Sequence, residues 1–268
     1  MAAAERVAAT VAQGVHGRRR VGQGDSFWQF RPFVAGDSLA RIDWRQSGKS
    51  ERSFVRETEW EAAQTIGLWR DGSESMRWRS RGTATDKRER AGLLLLALAS
   101  LLLRGGERVL LIGEGARALT GRTALDRLAQ ALDAPDAGGE PLPPKVAVPR
   151  HARVVLFGDF LSPLDAVQAS VARLASMPVT GHMLQVLDPA EAVLPYSGRV
   201  RFRGVVAEAD VLIPRVETIR DAYGRKLATH QAGLADICAA AGWSFAVHRT
   251  DHPPEAALLG LYTALDRA

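Results

Sequence analysis

The chain has 268 residues, 46% of them hydrophobic and 24% charged, which is enough apolar material for a buried core and excludes a disordered or fibrous chain. Its single cysteine, Cys238, excludes an internal disulfide framework. The net charge of +5 is concentrated near the N-terminus, where Arg18, Arg19, Arg20, Arg31, Arg41, Arg45, Lys49, Arg52 and Arg56 face only Asp25, Asp37, Asp43 and Glu51. A free surplus of this kind attracts phosphate or an acidic partner, whereas interleaved carboxylates favour a solvated face with internal ion pairs. The opening Met1–Arg6 lacks the basic-then-apolar order of a signal peptide. The most apolar run, Ala91–Leu103, is too short for the ~30 Å of a bilayer core. Together these features predict a cytoplasmic protein with no membrane segment.

In chain order, Ala2–Gln13 is alanine-rich and predicts a helix. Gly14–Trp60 has no helical period; it is rich in Arg, Gly and aromatics and predicts short strands and turns, with a turn at Gly36-Asp37. Thr65–Arg70 predicts a strand leading into Asp71-Gly72-Ser73-Glu74-Ser75. Asp86 caps a predicted helix that runs to about Leu103 and is apolar nearly all round, hence buried. Arg108–Ile112 predicts a strand and Thr123–Leu132 a helix, followed by a Pro- and Gly-rich loop, Ala134–Pro149. Arg153–Phe157 predicts an apolar strand ending in Gly158-Asp159, then a helix over Pro163–Ser176 with proline in its first turn. His182–Leu187 predicts a strand ending in Asp188-Pro189, and Val200–Phe202 with Val211–Ile213 a small hairpin. A long helix from about Arg215 to Ala241, a strand over Trp243–Val247 and a helix over Pro254–Asp266 complete the chain. Strands alternating with helices predict an α/β fold: a mostly parallel, Rossmann-like sheet with helices on both faces. The expected division is an N-terminal extension, 1–63, with short strands, packed on an α/β core, 64–268.

The chemistry is concentrated at two strand ends. Asp71, Ser73 and Ser75 form D-x-S-x-S directly after an apolar strand, and ligands of open α/β sheets bind beyond the carboxyl ends of the strands. One carboxylate and two hydroxyls are hard oxygen donors suited to Mg²⁺ or Mn²⁺. Asp159, at the end of another apolar strand, supplies a second carboxylate, and Thr123 (or Thr120) is the candidate hydroxyl to complete the set. The competing reading is an ordinary turn with helix-capping serines.

Several segments resemble the bacterial "domain of unknown function 58" family. They are Gly17–Gly24, Phe30–Asp37, Arg41–Arg45, Val55–Glu57 and the Asp71–Met76 motif, then Asp188–Glu191, Pro195–Phe202 and His248–Asp251. The resemblance spans nearly the whole chain. It implies a von Willebrand factor A-like domain with an N-terminal extension, and a role assisting a MoxR-type AAA+ ATPase, with no established catalytic activity. Arg70 stands where the family usually has an apolar residue, Gly17 where it has serine, and Ser47-Gly48-Lys49 where it has an Ala-Arg stretch. An arginine at 70 is placed either to compete with an ion or to bind an acidic partner.

These features predict a non-enzymatic, metal-ion-dependent protein-docking module in which a partner carboxylate fills an open coordination position. Two alternatives are a metal-assisted hydrolase with Glu74 as its base, and an RNA-binding protein using Arg18–Arg20 with Phe27, Trp28 and Phe30. The interleaved acids argue against nucleic acid as the partner. Ser47-Gly48-Lys49-Ser50 is not a phosphate-binding loop, because Asp43 stands where the loop's first glycine belongs. His248, Asp251 and His252 lack the glutamate and the helix of a zinc-protease motif.

Overall fold

The computed structural model describes residues 1–14, 27–34, 42–49, 52–58, 63–115, 117–134, 139–204 and 210–267. Arg18–Arg20 and the Gly36-Asp37 turn lie outside the described residues. The chain divides into two compact units, Met1–His16 with Gln64–Ala268, and Gly17–Ala63. The boundary thus falls after the first helix and not only at residue 63. The reason is a stripe of apolar residues: α1 (Ala2–Gly14) buries Ala4, Val7, Ala8 and Val11 among the helices α3 (Lys87–Arg104) and α8 (Pro254–Arg267) of the larger unit.

In the smaller unit, β1 (Phe27–Pro32) and β2 (Phe54–Thr58) pair antiparallel, with a register shift between Phe27 and Gln29. Between them lies α2 (Trp44–Ser47), a single turn that the sequence reading did not anticipate. Asp43 caps it, accepting the Gln46 N–H at 2.9 Å, and the Ser47 hydroxyl accepts the Phe54 N–H at 2.8 Å. Ser47-Gly48-Lys49 is therefore a helix end tied to a strand.

The larger unit holds β3 (Thr65–Arg70), α3 (Lys87–Arg104), β4 (Arg108–Leu111), α4 (Arg122–Asp133), β5 (Arg153–Gly158), α5 (Leu164–Ala175), β6 (Thr180–Leu187) and α6 (Pro189–Val193). The hairpin β7 (Val200–Phe202) and β8 (Val211–Ile213), then α7 (Arg220–Ala240), β9 (Ser244–Arg249) and α8 (Pro254–Arg267), follow. Five strands form one parallel sheet in the order β4-β3-β5-β6-β9. This is the doubly wound pattern in which the strand order reverses between the first and third strands of the sheet, here β3 and β5. Side chains alternate across the sheet as the strand period requires. Ile66 and Leu68 enter the core beneath α1, α3, α4 and α8, while Trp69, Val154 and Leu156 enter the core beneath α5 and α7.

The α/β class, the parallel sheet and the helices on both faces agree with the sequence reading. The boundaries that differ do so for local reasons. α7 begins at Arg220 because Val216–Thr218 closes a tighter turn first. β9 continues to Arg249 because its pairing with β6 runs through Leu187. Asp188 ends a strand as expected, and in addition caps α6 with a reciprocal box: Ala190 N–H on its Oδ1 at 2.8 Å, and Glu191 Oε2 on its own N–H at 2.9 Å.

Candidate functional site

The winding reverses between β3 and β5, and Asp71 and Asp159 stand at the carboxyl ends of these two strands, where open α/β sheets bind ligands. The backbone brings them together, with the Asp71 N–H donating to the Phe157 carbonyl at 2.8 Å. Both are buried, Asp71 completely. Gly158 permits the approach: a Cβ there would lie 3.0 Å from the Asp71 Cβ. On the other side, a Cβ on Gly139 would lie 2.7 Å from the Gly72 Cα, so the Pro- and Gly-rich loop is seated directly on the D-x-S-x-S turn.

Asp71 Oδ1 accepts the Ser73 N–H at 2.8 Å, curling the loop. The Ser73 and Ser75 hydroxyls are 3.0 Å apart, and the Ser75 hydroxyl donates to Asp159 Oδ2 at 2.7 Å. The four residues read from the sequence, Asp71, Ser73, Ser75 and Asp159, therefore form one contiguous group. Among the described residues Asp71 Oδ2 has no hydrogen-bond partner although it is buried. Burial first, and then the neighbouring Asp159, raise the Asp71 carboxyl to about 6; its bonds to Ser73 oppose the rise. Thr120 and Thr123 are exposed, before and within the first turn of α4, and among the described residues make no hydrogen bond to this group.

The group extends beyond what the sequence suggested. The Lys87 ammonium, fully buried at the first position of α3, donates to Asp159 Oδ2 at 2.9 Å and to Glu191 Oε1 at 2.6 Å. Its acidic neighbours hold it charged against the burial that disfavours the ammonium. Gln185 Nε2 donates to the Asp159 carbonyl at 2.8 Å, and Asp159 is followed by Phe160 at φ 48°, a left-handed conformation that bulky residues seldom adopt. His230 holds that turn through a 2.7 Å contact with the Phe160 carbonyl oxygen. Glu191 belongs to a segment that carried the family resemblance, but nothing local in the sequence marks Lys87 as buried.

Arg70 does not reach into the group. Its Nη2 donates to the Leu132 carbonyl at 3.1 Å and its Nη1 lies beside Gly92 of α3, on the far face of the strand from Trp69. Glu74 is half exposed and pairs with Arg77 at 3.4 Å. The His248–His252 stretch gathers no ligand set: the His248 ring nitrogen lies 3.4 Å from Arg90, the His252 carbonyl accepts from Arg90, and Asp251 pairs with Arg249. Cys238 is buried beside the Met183 sulfur, and burial pushes its thiol up to about 11. Among the described residues no three His, Cys, Asp or Glu side chains converge as metal ligands. Oxygen donors at the Asp71 loop are thus one carboxylate and two hydroxyls, with Asp159 engaged by Ser75 and Lys87.

A doubly wound α/β unit with a buried carboxylate–hydroxyl–ammonium group at its switch point is the class of protein the structure defines. Within that class, the chain belongs to the family described as "Protein of unknown function DUF58", whose family model matches residues 29–233. Uncharacterised proteins of Mycobacterium bovis and Mycobacterium tuberculosis are 29% identical over 252 residues, covering 86% of this chain and 76% of theirs. Among solved structures, an aerotolerance-related membrane protein from Bacteroides fragilis with multiple mutations to serines is similar at 14% identity and a TM-score of 0.42. The conserved hypothetical protein BatB from Bacteroides thetaiotaomicron is similar at 14% identity and a TM-score of 0.40. Each covers 77% of this chain and 100% of its own. At these scores neither likeness carries a conclusion about what this chain does.

The cytoplasmic placement expected from the sequence is withdrawn. The similar solved structures include the membrane protein from Bacteroides fragilis and, at a TM-score of 0.21, an uncharacterised membrane spanning protein from Vibrio fischeri. Among the described residues no helix is long and apolar enough to cross a membrane, which is a statement about those helices and assigns no compartment.

Proposed function

We propose that this chain is a non-enzymatic protein-docking module of von Willebrand factor A-like type, with a MoxR-type AAA+ ATPase as its partner. In this reading Asp71, Ser73 and Ser75 hold Mg²⁺ or Mn²⁺ at the switch point, and Asp159 orients Ser75. The observation that carries it is Asp71 Oδ2, a buried carboxylate oxygen that has no hydrogen-bond partner among the described residues and lies in the loop of two hydroxyls. Such an atom costs free energy unless something satisfies it. A hard divalent ion suits that donor set, and bound there it would supply the positive charge that attracts an acidic side chain of the partner. The order β4-β3-β5-β6-β9 and the site's place between β3 and β5 support the von Willebrand A-like assignment. The partner comes from the family resemblance.

A docking role is favoured over hydrolysis because Glu74, the one base the hydrolytic reading had, is engaged with Arg77 at the surface. The test is retention of a purified MoxR-type ATPase on the immobilised full chain, in Mg²⁺ and then in chelator, for wild type and Asp71→Ala. Retention in Mg²⁺ alone, lost in Asp71→Ala, is the expected result. Retention that persists in chelator and in the variant removes the metal from the reading.

A further inference from the structure

Lys87 is the feature of this site that no motif announced. A buried ammonium is stable only where carboxylates neutralise it and accept its protons. Asp159 and Glu191 do both, from residues 72 and 104 positions further along the chain. The same Asp159 oxygen that accepts Lys87 also accepts Ser75, whose hydroxyl meets Ser73 of the Asp71 loop. The ammonium is therefore one bond removed from the hydroxyls that an ion would use. Its charge is also felt at Asp71.

Resting on the docking reading above, we infer that Lys87 is the tethered counter-cation of this site and the residue that sets its affinity for a divalent ion. By neutralising Asp159, the ammonium leaves Asp71 Oδ2 and the two serine hydroxyls as an incomplete donor set. Two effects act together. A divalent ion at Asp71 meets the repulsion of a nearby fixed positive charge. It also loses Asp159 as a ligand, because that oxygen is committed to Lys87 and Ser75. Hard cations gather about six oxygens, and water or an incoming carboxylate has to supply the remainder. The ion is consequently held weakly by the free chain and firmly only once an acidic partner side chain arrives. Lys87 thereby couples ion uptake to docking.

The experiment measures Mn²⁺ binding to the full chain by calorimetry, with free Mn²⁺ followed by its paramagnetic resonance. Wild type is compared with Lys87→Met, which keeps the side-chain length, and with Lys87→Met combined with Glu191→Gln, which removes one charge of each sign. Both variants are expected to bind Mn²⁺ about tenfold or more tightly than wild type. Adding Asp159→Asn to the double variant should abolish the gain. Where a variant unfolds without metal, recovery of its thermal transition by Mn²⁺ supports the inference and absence of recovery overturns it. Affinities within about twofold of wild type in folded variants overturn it too, while wild-type Mn²⁺ binding leaves the docking reading standing. Mn²⁺ binding by the variants but not by wild type supports Lys87 as the resident cation and removes metal from the native docking reading. No binding by wild type, by Lys87→Met or by the double variant overturns the inference.

Discussion

The Ser75 hydroxyl donates to Asp159 Oδ2 at 2.7 Å, a bond between residues 84 apart in sequence that ties the end of β3 to the end of β5. Those strands are neighbours in the sheet, and the chain leaves them toward opposite faces, so beyond the backbone bond from the Asp71 N–H to the Phe157 carbonyl it falls to a side chain to tie the two loops together. The hydroxyl does so, and passes the link on to Ser73. Ser75→Ala leaves Asp159 Oδ2 with Lys87 alone. It should cost about 1 kcal/mol in urea unfolding, the ordinary net value of a hydrogen bond, and Ser75→Thr should recover most of it. An unchanged denaturation midpoint in Ser75→Ala would show that the two loops are held by other means.

Gly181 and Trp243 define a second dependence, remote from the site. A Cβ on Gly181 would lie 2.1 Å from the Trp243 ring, which is itself buried beside β6. Gly181→Ala therefore overpacks this core and should cost about 1–3 kcal/mol. Trp243→Leu opens the space a methyl group needs. The double variant should be less destabilised than the sum of the single ones by about 1 kcal/mol, read from a double-mutant cycle. Additive values would mean that Gly181 is required for its backbone and not for this contact.

The fold was legible where elements are long and patterned. β3, β5 and β6 are apolar runs closed by Asp or Gly, and α3 is announced by the Asp86 cap, whose reciprocal bonds to Glu89 are present at 2.7 and 3.2 Å. The Asp71, Ser73, Ser75 and Asp159 part of the site was legible for the same reason, since strand ends fix where loops meet. α2 and α6 were not, because four or five residues carry no period and only the Asp43 and Asp188 caps betray them. Lys87 was not legible either. It opens Lys87-Arg88-Glu89-Arg90, which looks like a solvated first turn, and its burial is decided by carboxylates far along the chain. Arg70 looked like a rival to an ion at the loop, but strand alternation turns it toward α3 and the end of α4.

The last prediction concerns acid stability and rests on two buried histidines. His182 and His248 are each only 4% exposed. Burial first, then Arg153 beside His182 and Arg90 beside His248, pushes each imidazole down to about 4; at His248 the neighbouring His252 also lowers it and Asp251 acts in the opposite direction. In the unfolded chain both return to the ordinary value of about 6.5. Between those values the unfolded state binds more protons, so their contribution is fully present above about pH 6.5 and is lost as pH falls toward 4, at most about 3 kcal/mol for each. Asp71, raised to about 6 from 3.8, has the opposite sign, because its ionisation on raising the pH costs the folded state. The measurement is therefore a difference: the unfolding free energy of wild type minus that of His182→Gln/His248→Gln, from urea titrations at several pH values. Because Asp71 is common to both proteins it cancels, and the difference should fall by a few kcal/mol from about pH 7 to about pH 4.5. A difference that stays constant over that range would mean that the two imidazoles protonate alike in the folded and unfolded chains.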